Sequence, residues 1–404
     1  MGPLEKKAVM NVMDSDNLSG FFGSPGKKWL GGPKIIEFEE KWAQKYGFRN
    51  AISVNSWTSG LIAAVGAIGI EPGDEVIVSP FTMSASVTCV LFYGGIPVFA
   101  DVDEDTFNIT ANSIEKVVTK KTKAIIVVHL FGQPADLDEI LLVAKKFKLR
   151  VIEDAAQAPG VQYRSRQVGS IGDIGGFSLN YHKHIHTGEG GMLVTNDDEL
   201  ALRCRLIRNH AENLVEDVGV KDLRNMVGFN FRLTEISAAI GVVQLDKLEA
   251  SLDHRQKLAE YFSRGLRNIP GLSPPKIIDG VQHAYYLYPI KFDAKVVGMT
   301  RSSFVRKVNM ELPKPECWEQ TFLQEGYVKP IYLLPLFKEK IAIGGKGFPW
   351  SNDPSLKYFY KQGLCPNVER LHSDSLIVTP LIREPLEIQD IEDLLIAIRK
   401  VIVC

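Results

Sequence analysis

The chain has 404 residues, of which 45% are hydrophobic and 24% are charged, and its formal net charge is −1. This length is too great for one compact core and suits two domains. The near-neutral charge argues against a nucleic-acid-binding protein, which would carry a basic surface. No apolar run reaches the roughly 18 residues of a membrane span, and the N-terminal segment lacks the apolar core of a secretory signal. Five scattered cysteines suit a reducing compartment, so we expect a cytoplasmic protein.

The first 34 residues are rich in glycine and weakly periodic, so we expect an arm that lies across another part of the protein. The stretch IIEFEEKWAQKYG then predicts an amphipathic helix that ends at Gly47. Strands and helices alternate in the region that follows. The predicted strands are 51–56, 75–81, 97–102, 124–131, 150–156, 176–180 and 191–196, and the predicted helices are 57–69, 83–95, 135–148 and 197–210. Because some of these strands are apolar on both faces, we expect a mostly parallel sheet covered by helices, an α/β fold.

The pattern changes after residue 232. Residues 234–268 predict one long helix, AYYLYPIKFD and SLIVTP predict short antiparallel strands, and IQDIEDLLIAIRKVI predicts a closing helix. We therefore predict a large domain at 1–248, which includes the arm, and a small C-terminal α/β domain at 249–404. Residues 313–370 are rich in proline, glycine and aromatic residues and predict no regular element, and we expect them to build part of a substrate pocket.

The first candidate site is SWTSGL at 56–61, where a strand gives way to a helix at small residues. The free backbone N–H groups of a helix N-terminus bind phosphate well. Thr58 and Ser59 would add hydroxyl donors. An ordinary helix start capped by Ser56 explains the same residues, and this stretch taken alone favours the cap.

The second candidate is IEDAAQ at 152–157, where Glu153 and Asp154 end an apolar strand. Ligands of open α/β sheets bind beyond the carboxyl ends of the strands. A carboxylate there can hold the protonated ring nitrogen of pyridoxal phosphate (PLP), and Gln157 can meet the phenolic oxygen of that ring. A strand end with solvated acids is the equally weighted alternative.

The third candidate is the segment 177–196, in which the single lysine, Lys183, precedes a glycine-rich turn. A lysine buried at the edge of a sheet loses hydration, so its pKa falls and its amine becomes a nucleophile that forms Schiff bases with carbonyl compounds, PLP included. His182, His184 and His186 alternate around it, which predicts that all three lie on one side of an extended segment. We favour a cleft wall over a metal site, because only Glu189 offers a further ligand.

The fourth candidate is VGFNFRLTEISAAIG at 227–241, a turn before a helix that Thr234 would cap. Asn230 is an uncharged donor and acceptor that suits a phosphate, although turn chemistry alone also explains it. Each of the four signals is weak by itself, but their order is informative. A phosphate-type helix start, a strand-end Asp-x-x-Gln and then a lysine are typical of fold-type I PLP enzymes.

The chain resembles the DegT/DnrJ/EryC1/StrS family of PLP-dependent sugar aminotransferases. The resemblance extends from residue 15 to the C-terminus and implies the aspartate aminotransferase fold, with a large, mostly parallel domain and a small C-terminal domain. The segments that carry it are FEEKWAQKYG, SWTSGL, GDEVIVSPFT, ADVDEDTFNI, VVHLFGQPAD, VIEDAAQAPG, GDIGGFSLNYHK, TGEGGMLVTN, RNHAEN, GFNFRLTEISAAIGVVQL, CPNVERL and the closing helix.

The resemblance implies a role for individual residues. Lys183 matches the catalytic Schiff-base lysine, Asp154 the partner of the pyridine nitrogen, and Gln157 the group near the phenolic oxygen. Asn230 matches an asparagine that reaches the phosphate from the other subunit, which implies a homodimer with the active site at its interface. The implied cofactor-binding residues are Trp57, Thr58, Met83, Asp154, Gln157, Ser178, Lys183 and Asn230, with no metal. The cofactor would cycle between pyridoxal 5′-phosphate and pyridoxamine 5′-phosphate.

This sequence departs from the family's pattern in three places. Trp57 stands where the phosphate turn usually has glycine, so we expect a narrower entrance with phosphate binding intact. Met83 replaces the aromatic residue that usually stacks on the cofactor ring, and a thioether can still pack there. Asn180, Tyr181 and His182 precede the lysine where many relatives are less polar, and we expect them to affect substrate choice.

These observations predict a PLP-dependent aminotransferase that moves an amino group from an amino acid, glutamate by expectation, to a keto- or aldehydo-sugar. We expect a nucleotide-linked sugar and a product destined for a surface polysaccharide such as lipopolysaccharide, or for a secondary metabolite. The alternatives are a sugar dehydratase of the same family, in which histidine replaces the lysine, and an aminotransferase for a non-nucleotide keto-sugar. A non-enzymatic regulator on the same fold is disfavoured by the joint presence of Lys183, Asp154 and Asn230.

Overall fold

The computed structural model describes residues 1–313, 321–352 and 358–403. Its helices are α1 Pro3–Asp14, α2 Pro33–Tyr46, α3 Trp57–Ala67, α4 Ala85–Leu91, α5 Ala111–Glu115, α6 Leu137–Phe147, α7 Asp198–Arg208, α8 Glu235–Leu266, α9 Ala294–Val297, α10 Arg301–Met310, α11 Pro335–Lys338, α12 Pro366–Arg370 and α13 Ile388–Val403. Its strands are β1 Asn50–Val54, β2 Glu75–Val78, β3 Ile96–Phe99, β4 Thr122–Val128, β5 Arg150–Asp154, β6 Gln162–Tyr163, β7 Arg166–Gln167, β8 Ile174–Ser178, β9 Gly191–Thr195, β10 Leu272–Ser273, β11 Tyr288–Phe292, β12 Gln324–Glu325 and β13 Leu376–Thr379.

A seven-stranded sheet forms the centre of the protein, in the order β1-β9-β8-β5-β4-β2-β3. Neighbours from β8 to β3 run parallel, whereas β9 is antiparallel to both β8 and β1. Strands such as β2, β8 and β9 are buried along their whole length because helices cover the sheet. The prediction of a mostly parallel α/β sheet is therefore confirmed. None of the helices in the described ranges combines the length and apolar character needed to cross a lipid bilayer.

The topology brings three predicted segments to one edge of this sheet. β1, β5 and β8 point the same way, so their carboxyl ends lie together. β5 ends at Asp154 and β8 at Ser178, and Ser56 follows the end of β1. Ligands of open α/β sheets bind at such an edge.

The C-terminal part contains a second, antiparallel sheet in the order β10-β11-β13-β12. α10 and α13 cover it around a separate apolar cluster that includes Phe262, Phe304 and Leu394. The long α8 runs through the predicted domain boundary at residues 248 and 249, and its two halves pack into different cores. Buried residues between Ile331 and Val378 return to the first core. The position of the boundary stays a prediction.

The N-terminal 34 residues contain a helix that the sequence did not predict. α1 packs on α8, but only Glu5 and Val12 of α1 are buried, which explains its weak apolar periodicity. The irregular residues after α1 do lie across the large domain. The side chain of Asn209 donates to the carbonyls of Phe22 and Trp29, at 2.9 and 3.1 Å.

The carboxylate of Glu5 attaches α1 to α8. It accepts hydrogen bonds from Gln244 Nε2 at 2.8 Å, from Lys247 Nζ and from the backbone N–H of Gly2. Burial acts to raise the pKa of Glu5, but these donors outweigh it and lower the pKa to about 2. The interaction therefore stabilises the folded protein wherever Glu5 is ionised.

We expect Glu5→Ala to lower the free energy of unfolding by about 1–3 kcal/mol at pH 7, because the buried amide of Gln244 loses its acceptor. The folded pKa lies below the ordinary 4.5, so the contribution of Glu5 is fully present above pH 4.5 and disappears as the pH falls toward 2. Urea unfolding over this pH range measures the difference. Glu249→Ala is the control, because the side chain of Glu249 is 72% exposed. Equal losses in the two variants would contradict the assignment.

Candidate active site

A cavity of about 190 Å³ opens at the sheet edge where β1, β5 and β8 end. It is bounded by residues from the loops that follow β5 and β8 and from the starts of α3 and α4. The residues that line it are Ser56, Trp57, Thr58, Leu61, Thr82, Met83, Ala85, Ser86, Val128, Asp154, Ala156, Gln157, Ser178, Asn180, His182, Lys183 and Glu189. Of the eight predicted cofactor-binding residues, the structure brings seven to this cavity, and Asn230 is the exception.

Asp154 is the buried carboxylate of the cavity. Its Oδ1 accepts hydrogen bonds from the indole Nε1 of Trp57 at 2.7 Å and from the backbone N–H of Ala156 at 3.2 Å. Its Oδ2 accepts from Ser86 Oγ at 2.6 Å, and Ser86 Oγ in turn lies 3.0 Å from Thr82 Oγ1. All three donors to the carboxylate are uncharged, so they orient it without neutralising it.

Glu153, the other predicted strand-end acid, has a structural role outside the cavity. Consecutive side chains of a strand point to opposite faces, so Glu153 points away from Asp154. Its carboxylate accepts from the backbone N–H groups of Gly169 and Gly172, at 2.8 and 2.7 Å, and lies 3.1 Å from His129 Nε2. Both acids are buried, so the interpretation of the segment as a strand end with solvated acids is wrong.

The N-terminus of α3 forms the wall where a phosphate was predicted. Ser56 caps the helix by accepting the backbone N–H of Ser59 at 3.1 Å. The backbone N–H groups of Trp57 and Thr58, at the first two helical positions, donate to no protein group in the described part of the chain. The exposed Thr58 and the hydroxyl of Ser178 lie in the same cavity. The cap and the free donors therefore occur together rather than as alternatives.

Trp57 does not narrow the entrance, as its bulk suggested. Its side chain is 5% exposed, and the indole lies against the main chain of Gly60 and Gly176. The ring therefore forms an inner wall of the cavity and reaches Asp154.

Lys183 lies in a turn that follows β8, and its backbone N–H donates to the carbonyl of Asn180 at 2.9 Å. Its Nζ stands 4.1 Å from the ring centroid of Tyr286. Burial lowers the pKa of Lys183 to about 8, although the Asp154 carboxylate acts in the opposite direction. Within the described residues, Nζ forms no ion pair that would hold it in the charged state. The amine is therefore set up as a nucleophile near neutral pH.

The three histidines have separate environments, because residues 181–185 form turns and bends rather than one extended segment. His182 lines the cavity, and burial together with the charges of Lys183 and Arg383 lowers its pKa to about 4. His184 is buried, and its Nε2 lies 2.9 Å from the carbonyl of Ala284. His186 is half-buried, and its backbone N–H donates to Gln244 Oε1. The expectation that all three lie on one side is wrong, and the described residues contain no cluster suited to a metal ion.

Gln157 is held at the cavity by two contacts. Its Oε1 accepts from the backbone N–H of Phe131 at 2.6 Å, and its Nε2 donates to Tyr327 Oη at 3.1 Å. Tyr327 is surrounded by protein, and burial raises its pKa to about 12. It comes from the predicted irregular region 313–370, of which residues 314–320 and 353–357 lie outside the described residues. The described residues of this region thus fix a cavity residue without lining the cavity themselves.

Asn230 is exposed and is not among the residues that line the cavity. Its Oδ1 accepts from Arg232 Nε at 2.7 Å, and its carbonyl accepts from Asn55 Nδ2 at 3.3 Å. Its backbone is therefore close to the α3 N-terminus within the same chain. Whether its side chain acts on a phosphate across a subunit interface stays a prediction.

The sequence did not indicate several groups in or beside the site, which are Thr82, Ser86, Tyr286 and Tyr327. Ser86 lies on a short helix, and the tyrosines come from distant segments. The segment AYYLYP contains three tyrosines, and its pattern does not distinguish Tyr286 from its neighbours. Glu189 accepts a hydrogen bond from Asn180 Nδ2 at 2.8 Å. Both residues line the cavity and form a polar part of its wall.

Comparison with known proteins shows a consistent likeness. The sequence profile described as the DegT/DnrJ/EryC1/StrS aminotransferase family matches residues 24–354. GDP-perosamine synthase of Caulobacter vibrioides is 39% identical over 306 residues, which cover 76% of this chain and 78% of that protein. The spore coat polysaccharide biosynthesis protein SpsC of Bacillus subtilis is 34% identical over 381 residues, which cover 93% and 91%.

Solved structures show the same fold. An aminotransferase from Psychrobacter cryohalolentis superposes with a TM-score of 0.83 at 29% identity, covering 100% of this chain and 97% of that chain. PseC of Helicobacter pylori, an aminotransferase involved in the biosynthesis of pseudoaminic acid, gives a TM-score of 0.79 at 25% identity, covering 100% and 97%.

We expect the reaction of Lys183 with trinitrobenzenesulfonate to become faster with rising pH and to reach half its maximal rate near pH 8, because only the neutral amine attacks. Mass spectrometry of the peptide that contains Lys183 measures the rate in cofactor-free protein. Lys183→Ala is the control, because its corresponding peptide has no amine at position 183 to be modified. Half-maximal reaction near the ~10.4 of an unperturbed lysine would contradict the proposed activation by burial.

Proposed function

Because the chain belongs to the DegT/DnrJ/EryC1/StrS aminotransferase family, we propose that it transfers an amino group from an amino acid to a nucleotide-linked keto-sugar, with PLP as its cofactor. The observation that carries the proposal is the single cavity that joins Lys183, Asp154, Gln157, Ser178 and the α3 N-terminus. Relatives named as GDP-perosamine synthases and SpsC support a sugar substrate and a product used in polysaccharide biosynthesis.

The groups in the cavity suit each part of pyridoxal phosphate. The uncommitted N–H groups of Trp57 and Thr58 and the hydroxyl of Ser178 suit the phosphate. The Asp154 carboxylate suits a protonated ring nitrogen, and the oriented amide of Gln157 suits the phenolic oxygen. The exposed side chain of Met83 would pack on the ring face.

Lys183 and Asp154 have separate functions in the proposed reaction. When bound, the cofactor supplies a carbonyl carbon that joins to amines and a ring that withdraws electrons. Lys183 would hold the cofactor through its amine, and once the donor's amine has displaced it, the free Nζ would accept the proton that leaves the donor's α-carbon. Asp154 holds the ring nitrogen in its protonated state, because an anion in a buried site favours the nearby cation.

The polar wall of the cavity suits the sugar. Asn180, His182 and Glu189 line it and carry donors and acceptors for hydroxyl groups. The low pKa of His182 keeps its ring uncharged at neutral pH, so it can act as donor or acceptor. Glutamate is the proposed donor, since the family's resemblance implies it.

The dehydratase alternative places a histidine where this chain has Lys183. Here the residue at that position is Lys183, which lines the cavity together with Asp154 and whose buried amine has a pKa lowered to about 8. His184 is buried outside the lining of the cavity, and its Nε2 lies 2.9 Å from the carbonyl of Ala284. We therefore favour transamination. A non-nucleotide keto-sugar is the second candidate, distinguished by the substrate screen below.

We further propose a cytoplasmic homodimer with the active site at its interface. The described cysteines Cys89, Cys204 and Cys365 are buried free thiols, which suits a reducing compartment. The segments that precede α2 and α8 expose large apolar side chains, as a subunit interface would require. These residues are Leu18, Phe22, Leu223 and Val227.

We expect glutamate to convert the PLP-loaded protein to the pyridoxamine phosphate form, with loss of visible absorbance. A panel of keto-sugars, nucleotide-linked and free, should then restore the absorbance for the true acceptor and give an aminated product by mass spectrometry. Lys183→Ala should show neither the absorbance of lysine-bound cofactor nor turnover, because it lacks the amine. A deoxygenated product without nitrogen would support the dehydratase instead.

Mixed dimers test whether Asn230 acts across the interface. If it does, a dimer of one Lys183→Ala chain and one Asn230→Ala chain has one site with both substitutions and one with neither. We expect about half the activity of the unsubstituted dimer, although both parent variants are nearly inactive. Differently tagged chains allow the mixed dimer to be purified and assayed. Full activity of Asn230→Ala, or an inactive mixed dimer, would contradict the assignment.

A further inference from the structure

Trp57 begins helix α3, and its side chain contacts the buried carboxylate of Asp154. It occupies the first position of α3, where its backbone N–H has no acceptor among the described residues, and its indole donates to the Asp154 carboxylate. The Nε1–Oδ1 distance is 2.7 Å, and both side chains are nearly fully buried, at 5% and 4% exposure. A buried indole N–H requires an acceptor, and Asp154 supplies it.

The surrounding main chain is shaped to hold this ring. A Cβ atom at Gly60 would lie 2.6 Å from the indole Cε3, and one at Gly176 would overlap the ring as well as the carbonyl of Met192. Both glycines therefore allow the indole to lie flat against β8 and the first turn of α3. The close approach of these two backbones restricts the rotation of the ring.

We propose that the Trp57 indole is a positioning group that fixes the orientation of the Asp154 carboxylate toward the cofactor's ring nitrogen. This inference rests on the proposed function. It gives Trp57 a side-chain role that is separate from the phosphate contact of its backbone.

The hydrogen-bond pattern explains how the positioning works. The terminal torsion of an aspartate is soft and roughly two-fold, so a single donor leaves the carboxylate free to turn. Here Trp57 holds Oδ1 and Ser86 holds Oδ2, which fixes the plane of the group. A carboxylate has about four acceptor sites, and three protein donors leave capacity for one more. The protonated ring nitrogen of the cofactor would donate to this remaining acceptor site.

The test uses two cofactors, pyridoxal phosphate and its 1-deaza analogue, in which carbon replaces the ring nitrogen. Trp57→Phe keeps a buried ring but removes the donor. We expect it to weaken pyridoxal phosphate binding on the order of tenfold, the effect of losing one hydrogen bond to a charged group. Binding of the deaza analogue, which makes no contact through that atom, should change little. Dissociation constants from equilibrium dialysis give both values.

The matched control is Trp350→Phe, since the indole of Trp350 is 6% exposed and donates to Tyr360 Oη away from the cavity. It should change neither dissociation constant. Equal weakening of both cofactors by Trp57→Phe would overturn the proposal, because a merely structural role affects both alike. No weakening of either would also overturn it. If the unsubstituted protein binds neither cofactor, the proposed function fails as well.

A second variant covers the case in which Trp57→Phe does not fold. Benzothienylalanine, introduced at position 57, matches the indole in shape and has sulfur in place of the N–H. It should reproduce the selective loss of pyridoxal phosphate affinity in a protein that remains folded, as circular dichroism would show.

Discussion

The arrangement of the site depends on one buried carboxylate at the end of a central parallel strand. An ionised group in a protein interior costs free energy unless hydrogen bonds replace its water. Asp154 meets this requirement with donors from α3, α4 and its own loop, provided by Trp57, Ser86 and Ala156. Those elements are thereby fixed relative to β5, and with them the α3 N-terminus.

The buried carboxylate of Asp154 also affects the pKa of Lys183. Burial lowers the pKa of Lys183 while the negative charge of Asp154 raises it, and burial prevails. Full ion pairing would keep the amine charged and unreactive, whereas isolation from Asp154 would make a buried ammonium still less stable. Contact with the Tyr286 face is a weaker attraction for the charged form than a carboxylate contact would be. The site thus keeps Lys183 reactive while Asp154 remains available to the cofactor.

The sequence predicts those parts of the site that local patterns determine. Strand ends and helix starts are visible as periodicity, so Ser56 could be placed at a helix start, Asp154 at a strand end and Lys183 before a glycine-rich turn. Ser178 was indicated only by the family resemblance. Contacts between distant segments leave no such pattern. Tyr327 reaches Gln157 from an irregular region, and Tyr286 covers Lys183 from the C-terminal part. The direction of a side chain is equally hidden, which is why Trp57 was expected at the entrance and lies inside.

The histidines near Lys183 show why spacing alone misleads in a loop. Alternate positions share a face only while the backbone stays extended, and residues 181–185 turn instead. The turn separates His182, which faces the cavity, from His184, which bonds to the carbonyl of Ala284. Moving the reactive amine by one residue in either direction would therefore place it in a different environment. At position 183 the loop directs the side chain toward Tyr286 and into the lining of the cavity that contains Asp154.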